Sequence, residues 1–372
     1  MKTQPFSIDV PQAVLDDLHR RLAATRFADS VAEAGWDYGT NADYLRDLVE
    51  HWRDSYDWRK AEARLNELAQ FRADIGDTGV HFVHEQSADP GATPLLLLHG
   101  WPSSFVQMEQ IIPMLTDTSA PGAAFHAVVP SLPGYGFSDR PAQRGMSVGK
   151  IGELFHDLMT GLGYDRYAIR ATDLGAGVAT QMAIAQPAAV VAIHTSGTNP
   201  FLMDVPSDLT AAEQEFVANA QRWMQTEMAY AQMHSSKPQT VAAALNDSPA
   251  GLASWIVEKF WRWTDHDGDL ETAVSRDDLL TNLTIYWVTE TINSSMRLYY
   301  ETARDPGSWG AVMAPSARLQ FSGDMFATPR EWVERSGPVT RWTEAGRGGH
   351  FPEWEKPDIV AADLREFVAT LH

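Results

Sequence analysis

The stretch Arg170-Ala-Thr-Asp173-Leu-Gly-Ala-Gly177 decides the fold. An apolar run from Tyr167 to Arg170 enters it, small residues crowd around a single acidic side chain, and an Ala-rich segment leaves it. The order reads strand, tight turn, helix. A turn this sharp lifts its central side chain above the carboxyl edge of a sheet and needs small neighbours, because the backbone is crowded there. Ala171 and Gly175 meet that need. Taken alone, the stretch is also compatible with an Asp that merely caps the following helix.

Upstream, His99-Gly-Trp-Pro102 ends the first strong strand, Pro94 to Leu98. α/β-Hydrolases place a second oxyanion-hole amide there, complementing the amide that follows the nucleophile. Here the two donors would be the backbone N–H groups of Trp101 and Leu174, with His99 and Pro102 as substrate-binding candidates. Downstream, Phe321-Ser-Gly-Asp324 and Gly346-Arg-Gly-Gly-His350 each close a strand. Nucleophile, acid and base then follow in the order Asp173, Asp324, His350, the order used by that fold. An isolated Asp or His in such a loop is ordinarily structural; the ordered set points to chemistry.

Short apolar runs punctuated by Gly and Pro recur between these motifs: His81 to His84, Phe125 to Val129, Val190 to His194, Ala317 to Phe321 and Val339 to Thr343. Alternating with amphipathic stretches, they predict a mostly parallel sheet covered on both faces. The first eighty residues read as helical, with Leu15, Leu18 and Leu22 on one face after Pro11. A second helix capped by Asn41 carries Leu45, Leu48, Val49 and Trp52. From about Asn199 to Asp278 helical patterns replace strands, opening with a capping box at Thr210 and Glu213. The expected organisation is an N-terminal helical wrapping domain (1–80), an α/β-hydrolase core (81–198 and 286–372) and a helical lid (199–285). A closing helix is expected from about Pro357 to Leu371.

Composition narrows function. Of 372 residues, 49 are acidic and 29 basic, a net charge of −20 that disfavours nucleic acid and anionic membranes as partners. With no cysteine, a disulfide framework, a thiolate metal site and a Cys nucleophile are all excluded. The N-terminus has no apolar stretch of signal-peptide length and no run is long enough to span a bilayer, so a cytoplasmic protein is expected. His81 and His84 sit three apart in a strand and so face opposite ways. Asp265, Asp267 and Asp269 imitate a calcium loop, but Leu270 and Arg276 stand where Gly and Glu are required, leaving a solvated acidic loop. Gly346-Arg-Gly-Gly lacks the Lys of a phosphate loop. No metal or cofactor is expected.

Over nearly its whole length the sequence resembles epoxide hydrolases of the microsomal and juvenile-hormone branch. The resemblance rests on Phe6-Ser-Ile-Asp-Val-Pro11, His99-Gly-Trp-Pro102, Pro133-Gly-Tyr-Gly-Phe-Ser138, Ala244-Leu-Asn-Asp-Ser-Pro249, Trp255-Ile-Val-Glu-Lys-Phe260, Asp278-Leu-Leu-Thr-Asn282, Thr328-Pro-Arg-Glu-Trp332 and Gly348-Gly-His-Phe351. It implies two lid tyrosines, matched by Tyr230 and by Tyr299, with Tyr300 as the competing assignment. The elbow departs from the family's Gly-Gly-Asp-Trp-Gly: it reads Ala171-Thr-Asp-Leu-Gly175, so Leu174 replaces a large flat wall. An Asp suits epoxides. A serine would end as an ether that the site has no means of cleaving, whereas a carboxylate forms an ester whose acyl carbon can be attacked by water activated at His350. Tyrosine, protonated at neutral pH, can assist the departing ring oxygen.

The resemblance therefore implies that an epoxide, apolar or aryl, and water become a diol, in detoxification or secondary metabolism; it also admits a homodimer. A dehalogenase shares the Asp, His and ester chemistry, but it typically holds halide with N–H donors such as a Trp after the nucleophile, where this chain has Leu174. A non-catalytic ligand-binding homologue is the other alternative, disfavoured because every part of the machinery is present.

Overall fold

A computed structural model describes residues 1–197, 205–305, 307 and 310–371. Its strands are β1 (Lys2–Pro5), β2 (Gln70–Ile75), β3 (Thr78–Glu85), β4 (Thr93–Leu98), β5 (Phe125–Pro130), β6 (Tyr167–Thr172), β7 (Val190–Ser196), β8 (Ser316–Phe321) and β9 (Val339–Ala345). They form one sheet in the order β1-β2-β3-β5-β4-β6-β7-β8-β9. Antiparallel pairing holds from β1 to β5 and parallel pairing from β5 onward. Leu95 to Leu98 on the central β4 are fully buried, as a strand covered on both faces requires.

The helices are α1 (Gln12–Ala23), α2 (Ala42–Asp54), α3 (Trp58–Leu65), α4 (Ile111–Thr116), α5 (Val148–Gly161), α6 (Asp173–Ala185), α7 (Ala211–Glu227), α8 (Ala229–Ser236), α9 (Pro238–Leu245), α10 (Pro249–Trp263), α11 (Arg276–Val288), α12 (Ile292–Thr302), α13 (Arg330–Glu334), α14 (Pro352–Glu355) and α15 (Pro357–Ala369). Asn41 accepts from the amides of Asp43 and Tyr44 at the start of α2, and the Thr210/Glu213 capping box opens α7. None of the described helices is long and apolar enough to cross a membrane.

The expected domain divisions need correction. The first eighty residues are not all helical: β1 and β2 belong to the same sheet as the core, and residue 80 lies inside β3. The β2 alternation is masked in sequence by Arg72, whose partly buried guanidinium donates to the Phe137 carbonyl at 2.7 Å. A two-residue turn at Gly76-Asp77, with Gly76 at φ 61°, closes the hairpin that pairs Ile75 with Thr78. Residue 285 likewise falls inside α11, and the helical excursion continues through α12 to Thr302 before β8 resumes the sheet. Within α11, buried from Leu279 to Trp287, Asn282, Thr284 and Tyr286 bond to Pro102, Trp52 and Ser103. The expected start of the lid at residue 199 and the chain's last residue lie outside the described residues.

Residues before the core clamp the lid. Ile8 and Val10 donate their amides to Asn66 Oδ1 and Glu62 Oε1, both at 2.8 Å, docking the first segment on α3. From there Trp52 Nε1 donates to Thr284 Oγ1 of α11 at 3.0 Å, and the Trp36 and Trp261 rings stack 4.4 Å apart.

Candidate active site

Strand β6 delivers Asp173 to the sheet's carboxyl edge, where its backbone turns to φ 48°, a left-handed conformation that only over-determined positions sustain. The surroundings impose it. A Cβ on Gly175 would lie 2.6 Å from the carbonyl oxygens of Leu98 and His99, and one on Gly100 would lie 2.3 Å from Asp173 Oδ1. The Asp173 amide donates to the Gly197 carbonyl at 2.9 Å. The carboxylate itself sits at the start of α6, where the helix dipole favours negative charge.

His350 Nε2 approaches Asp173 Oδ2 at 3.3 Å, and its Nδ1 lies 3.0 Å from Asp324 Oδ1. The ring is fully buried. Burial alone would lower its proton affinity, but hydrogen bonds and charge from Asp173 and Asp324 outweigh it and hold the imidazolium up to about 10. Asp324 Oδ1 also accepts the Met325 amide at 2.7 Å, and Gly323 N donates to the Gly348 carbonyl at 2.9 Å, tying acid loop to base loop. Asp173, Asp324 and His350, separated by up to 177 positions in the chain, therefore meet in one hydrogen-bonded row.

Trp101 N donates to Asp173 Oδ1 at 2.9 Å. Leu174, buried, supplies the next backbone amide at the head of α6. Pro102 is held from the lid side, its carbonyl accepting from Asn282 Nδ2 at 2.8 Å. His99 departs from the expectation of a substrate contact. Its Nδ1 lies 3.1 Å from the Gly100 carbonyl, the Leu132 amide donates to Nε2 at 3.3 Å, and burial pushes it down to about 4. Both ring nitrogens are taken up by backbone, so His99 braces the turn that presents Trp101.

The lid contributes an aromatic cluster over this row. Tyr230 stacks on Trp101 with centroids 5.1 Å apart, and Tyr299 meets Tyr230 edge-on at 6.1 Å. Burial, reinforced by Tyr230 and Asp173, raises the Tyr299 phenol well above its usual range and keeps it protonated. Tyr300 points elsewhere, half-buried beneath the Arg304 guanidinium at 3.5 Å. No group of three or more His, Asp or Glu able to hold a metal ion is found among the described residues.

Several residues support the site in ways their sequence context does not announce. Arg170, three positions before Asp173, is fully buried and donates to Glu353 Oε1 at 2.9 and 2.7 Å, three positions after His350. Glu355 accepts the amides of Phe351 (2.9 Å) and Asp265 (2.8 Å), and burial pushes its carboxyl up to about 7. Asp265 is not a solvated loop residue: its Oδ2 accepts from Gly348 N (2.7 Å) and Arg347 (2.8 Å), bracing the base loop. The only advance signal was the density of charge beside Gly348-Gly-His-Phe351.

Over its whole length the chain is similar to known proteins. A family model described as "Epoxide hydrolase N terminus" matches residues 3–108, and one described as "alpha/beta hydrolase fold" matches residues 93–245. The chain is 32% identical to epoxide hydrolase 1 of Sus scrofa over 99% of this chain and 89% of that one. The structure of the Aspergillus niger epoxide hydrolase superposes with a TM-score of 0.89 at 30% identity, covering 100% of this chain and 97% of that one. Juvenile hormone epoxide hydrolase from Bombyx mori gives a TM-score of 0.88 at 30% identity, covering 100% and 94%.

Proposed function

The chain belongs to the epoxide hydrolases of the α/β-hydrolase superfamily, and on that premise we propose how its own residues convert an epoxide and water into a vicinal diol. In the first step an Asp173 oxygen forms a bond to a ring carbon while the ring C–O bond breaks. The electron pair passes to the oxirane oxygen, which takes a proton or a strong hydrogen bond from Tyr230 and Tyr299. In the second step water attacks Cγ of the resulting ester and gives its proton to His350 Nε2. The tetrahedral oxyanion is met by the amides of Trp101 and Leu174. Collapse breaks the acyl C–O bond, the departing alkoxide takes the proton from His350, and the Asp173 carboxylic acid left behind gives its own proton to His350, restoring the carboxylate and imidazolium pair. Asp324 orients the imidazole and stabilises its charged form.

The observation that carries this reading is the row Asp173–His350–Asp324, at 3.3 and 3.0 Å, with the Trp101 amide 2.9 Å from the same carboxylate. It also resolves a conflict in protonation. A base held up to about 10 is charged before reaction; forming the ester neutralises one of the two carboxylates that hold its proton, that proton passes to the oxide or tyrosinate left by ring opening, and the neutral imidazole is then available as a base. Replacing His350 by Gln tests the order of steps. A covalent adduct should accumulate on the peptide containing Asp173, and diol release without any adduct would overturn it.

For the substrate, the packing of Trp101, Trp263 and the two tyrosines, with Leu174 in place of a large ring, supports apolar epoxides carrying an aryl or alkyl group. Styrene oxide and 1,2-epoxyhexane should then exceed glycidol in kcat/KM by at least an order of magnitude. A preference for glycidol would contradict this.

A further inference from the structure

The motif Trp255-Ile-Val-Glu-Lys-Phe260 places a positive charge where the proposed reaction scheme has no use for one. Lys259 on α10 is 7% exposed, and lysine is almost never this buried without reason. It is paired with its neighbour Glu258, but that pair would form equally well at the surface. What burial adds is contact with a ring: Lys259 Nζ lies over Tyr230, 4.8 Å from the ring centroid. The placement is built by two helices. Trp255, Lys259 and Trp263 follow one another at four-residue spacing along α10, and each meets the Tyr230–His234 face of α8. Trp255 Nε1 donates to His234 Nε2 at 3.1 Å, Lys259 covers Tyr230, and Trp263 packs on Tyr230 at 5.4 Å. Trp101 stacks on the same tyrosine from the core.

We infer that Lys259 is a positioning residue for ring opening, acting through Tyr230 by stabilising the negative charge its ring gains as the phenol passes its proton to the oxirane oxygen. The inference rests on the role assigned to Tyr230 above. An ammonium over a neutral phenol is held by the ring's quadrupole; over a phenol that is losing its proton it is held by a developing full charge, and the attraction grows. An interaction stronger in the transition state than in the ground state accelerates the step. Indole N–H has no acceptor role, so Trp255 fixes His234 Nε2 as an acceptor, and burial pushes that imidazole down to about 3. The positive charge on this face of Tyr230 is therefore carried by the lysine and not by the adjacent histidine.

The test separates the two steps by rapid-quench single turnover, following the ester on Asp173 with two epoxides of different alkoxide basicity, 1,2-epoxybutane and 3,3,3-trifluoro-1,2-epoxypropane. Lys259→Met should slow ester formation from epoxybutane roughly tenfold. The slowing should be smaller for the trifluoro epoxide, whose oxide needs less acid assistance, and ester hydrolysis should be unchanged. Lys259→Arg should recover most of the rate, and Lys259→Met should cost nothing further in a Tyr230→Phe background. Equal slowing of both epoxides, full additivity with Tyr230→Phe, or no slowing would overturn the inference. If Tyr230→Phe alone leaves ester formation intact, the assignment of Tyr230 fails and this inference with it; if Tyr230→Phe is slow and Lys259→Met is not, this inference fails alone. Should Lys259→Met not fold, Glu258→Gln removes the carboxylate that offsets the ammonium and should raise the rate of ester formation, whereas a fall would count against the idea.

Discussion

At the residue scale the site works by crowding. Asp173 holds its left-handed conformation because Gly100 and Gly175 leave room that any side chain would fill. Gly100→Ala would drive a methyl group to within 2.3 Å of Asp173 Oδ1, and should cost about 1–3 kcal/mol in a denaturant titration together with most of the activity. The charge on His350 has a consequence for stability. Its folded affinity is raised from an ordinary 6.5 to about 10, so the imidazolium contributes stability that is full below pH 6.5 and is lost as pH rises through 10. Asp173→Asn removes one of the carboxylates responsible. That variant should lose less thermal stability than the wild type between pH 7 and pH 10, and an equal or greater loss would show that Asp173 does not hold the proton. Asp173, Asp324, His350 and Trp101 can be picked out as candidates from residue type and order, since the elbow's small residues announce its geometry, whereas Tyr230 is singled out only through the family resemblance. Tyr299 against Tyr300 cannot be separated that way, since adjacent helical positions differ by about 100° around the axis; Tyr299 is proposed because it meets Tyr230 while Arg304 covers Tyr300. His99 was misread because a histidine beside an oxyanion turn looks the same in sequence whether its nitrogens face substrate or backbone.

At the scale of elements, the segment that follows the base is tied to the nucleophile's strand by buried charge. Arg170 on β6 and Glu353 on α14 form a fully buried pair that links the nucleophile's strand to the segment after the base, and His194 Nδ1 lies 2.9 Å from the same guanidinium. Glu353→Gln strands a buried charge. It should cost about 3–5 kcal/mol, read as a drop in denaturation midpoint, whereas a loss below 1 kcal/mol would show the network to be dispensable. On the far side, α2 grips α11 through Trp52 and Thr284. Thr284→Val leaves a buried indole N–H without its acceptor, for which thermal melts should register about 1–3 kcal/mol. Helix caps at Asn41 and Thr210 and the strands around the elbow could be read from local chemistry. β1 and β2 could not, because a four-residue strand without buried side chains and an alternation broken by Arg72 carry no periodic signal; β1 is defined by pairing with β2 across 66–72 positions, and β2 by that pairing and its hairpin with β3.

For the whole molecule, residues before the core are part of it. β1 and β2 complete the antiparallel edge of a single sheet, while the segments between them reach across to the lid through Thr40, Trp52 and Tyr56. A chain beginning at residue 76 would expose the edge of β3 and release α10 and α11. It should aggregate or lose activity in size-exclusion and turnover assays, and a monomer with wild-type turnover would show the N-terminal segment to be an independent module. The fold brings Asp173 from β6, Asp324 after β8, His350 after β9 and Tyr230 and Tyr299 from the lid together, and the proposed scheme has that carboxylate alkylated and then regenerated. The most direct measurement is a single turnover in ¹⁸O-labelled water with excess enzyme, followed by mass analysis of both the diol and the peptide containing Asp173. The account predicts heavy oxygen in Asp173 and none in the first equivalent of diol; heavy oxygen in that diol with an unlabelled Asp173 would mean that water opens the ring directly and that no ester is formed.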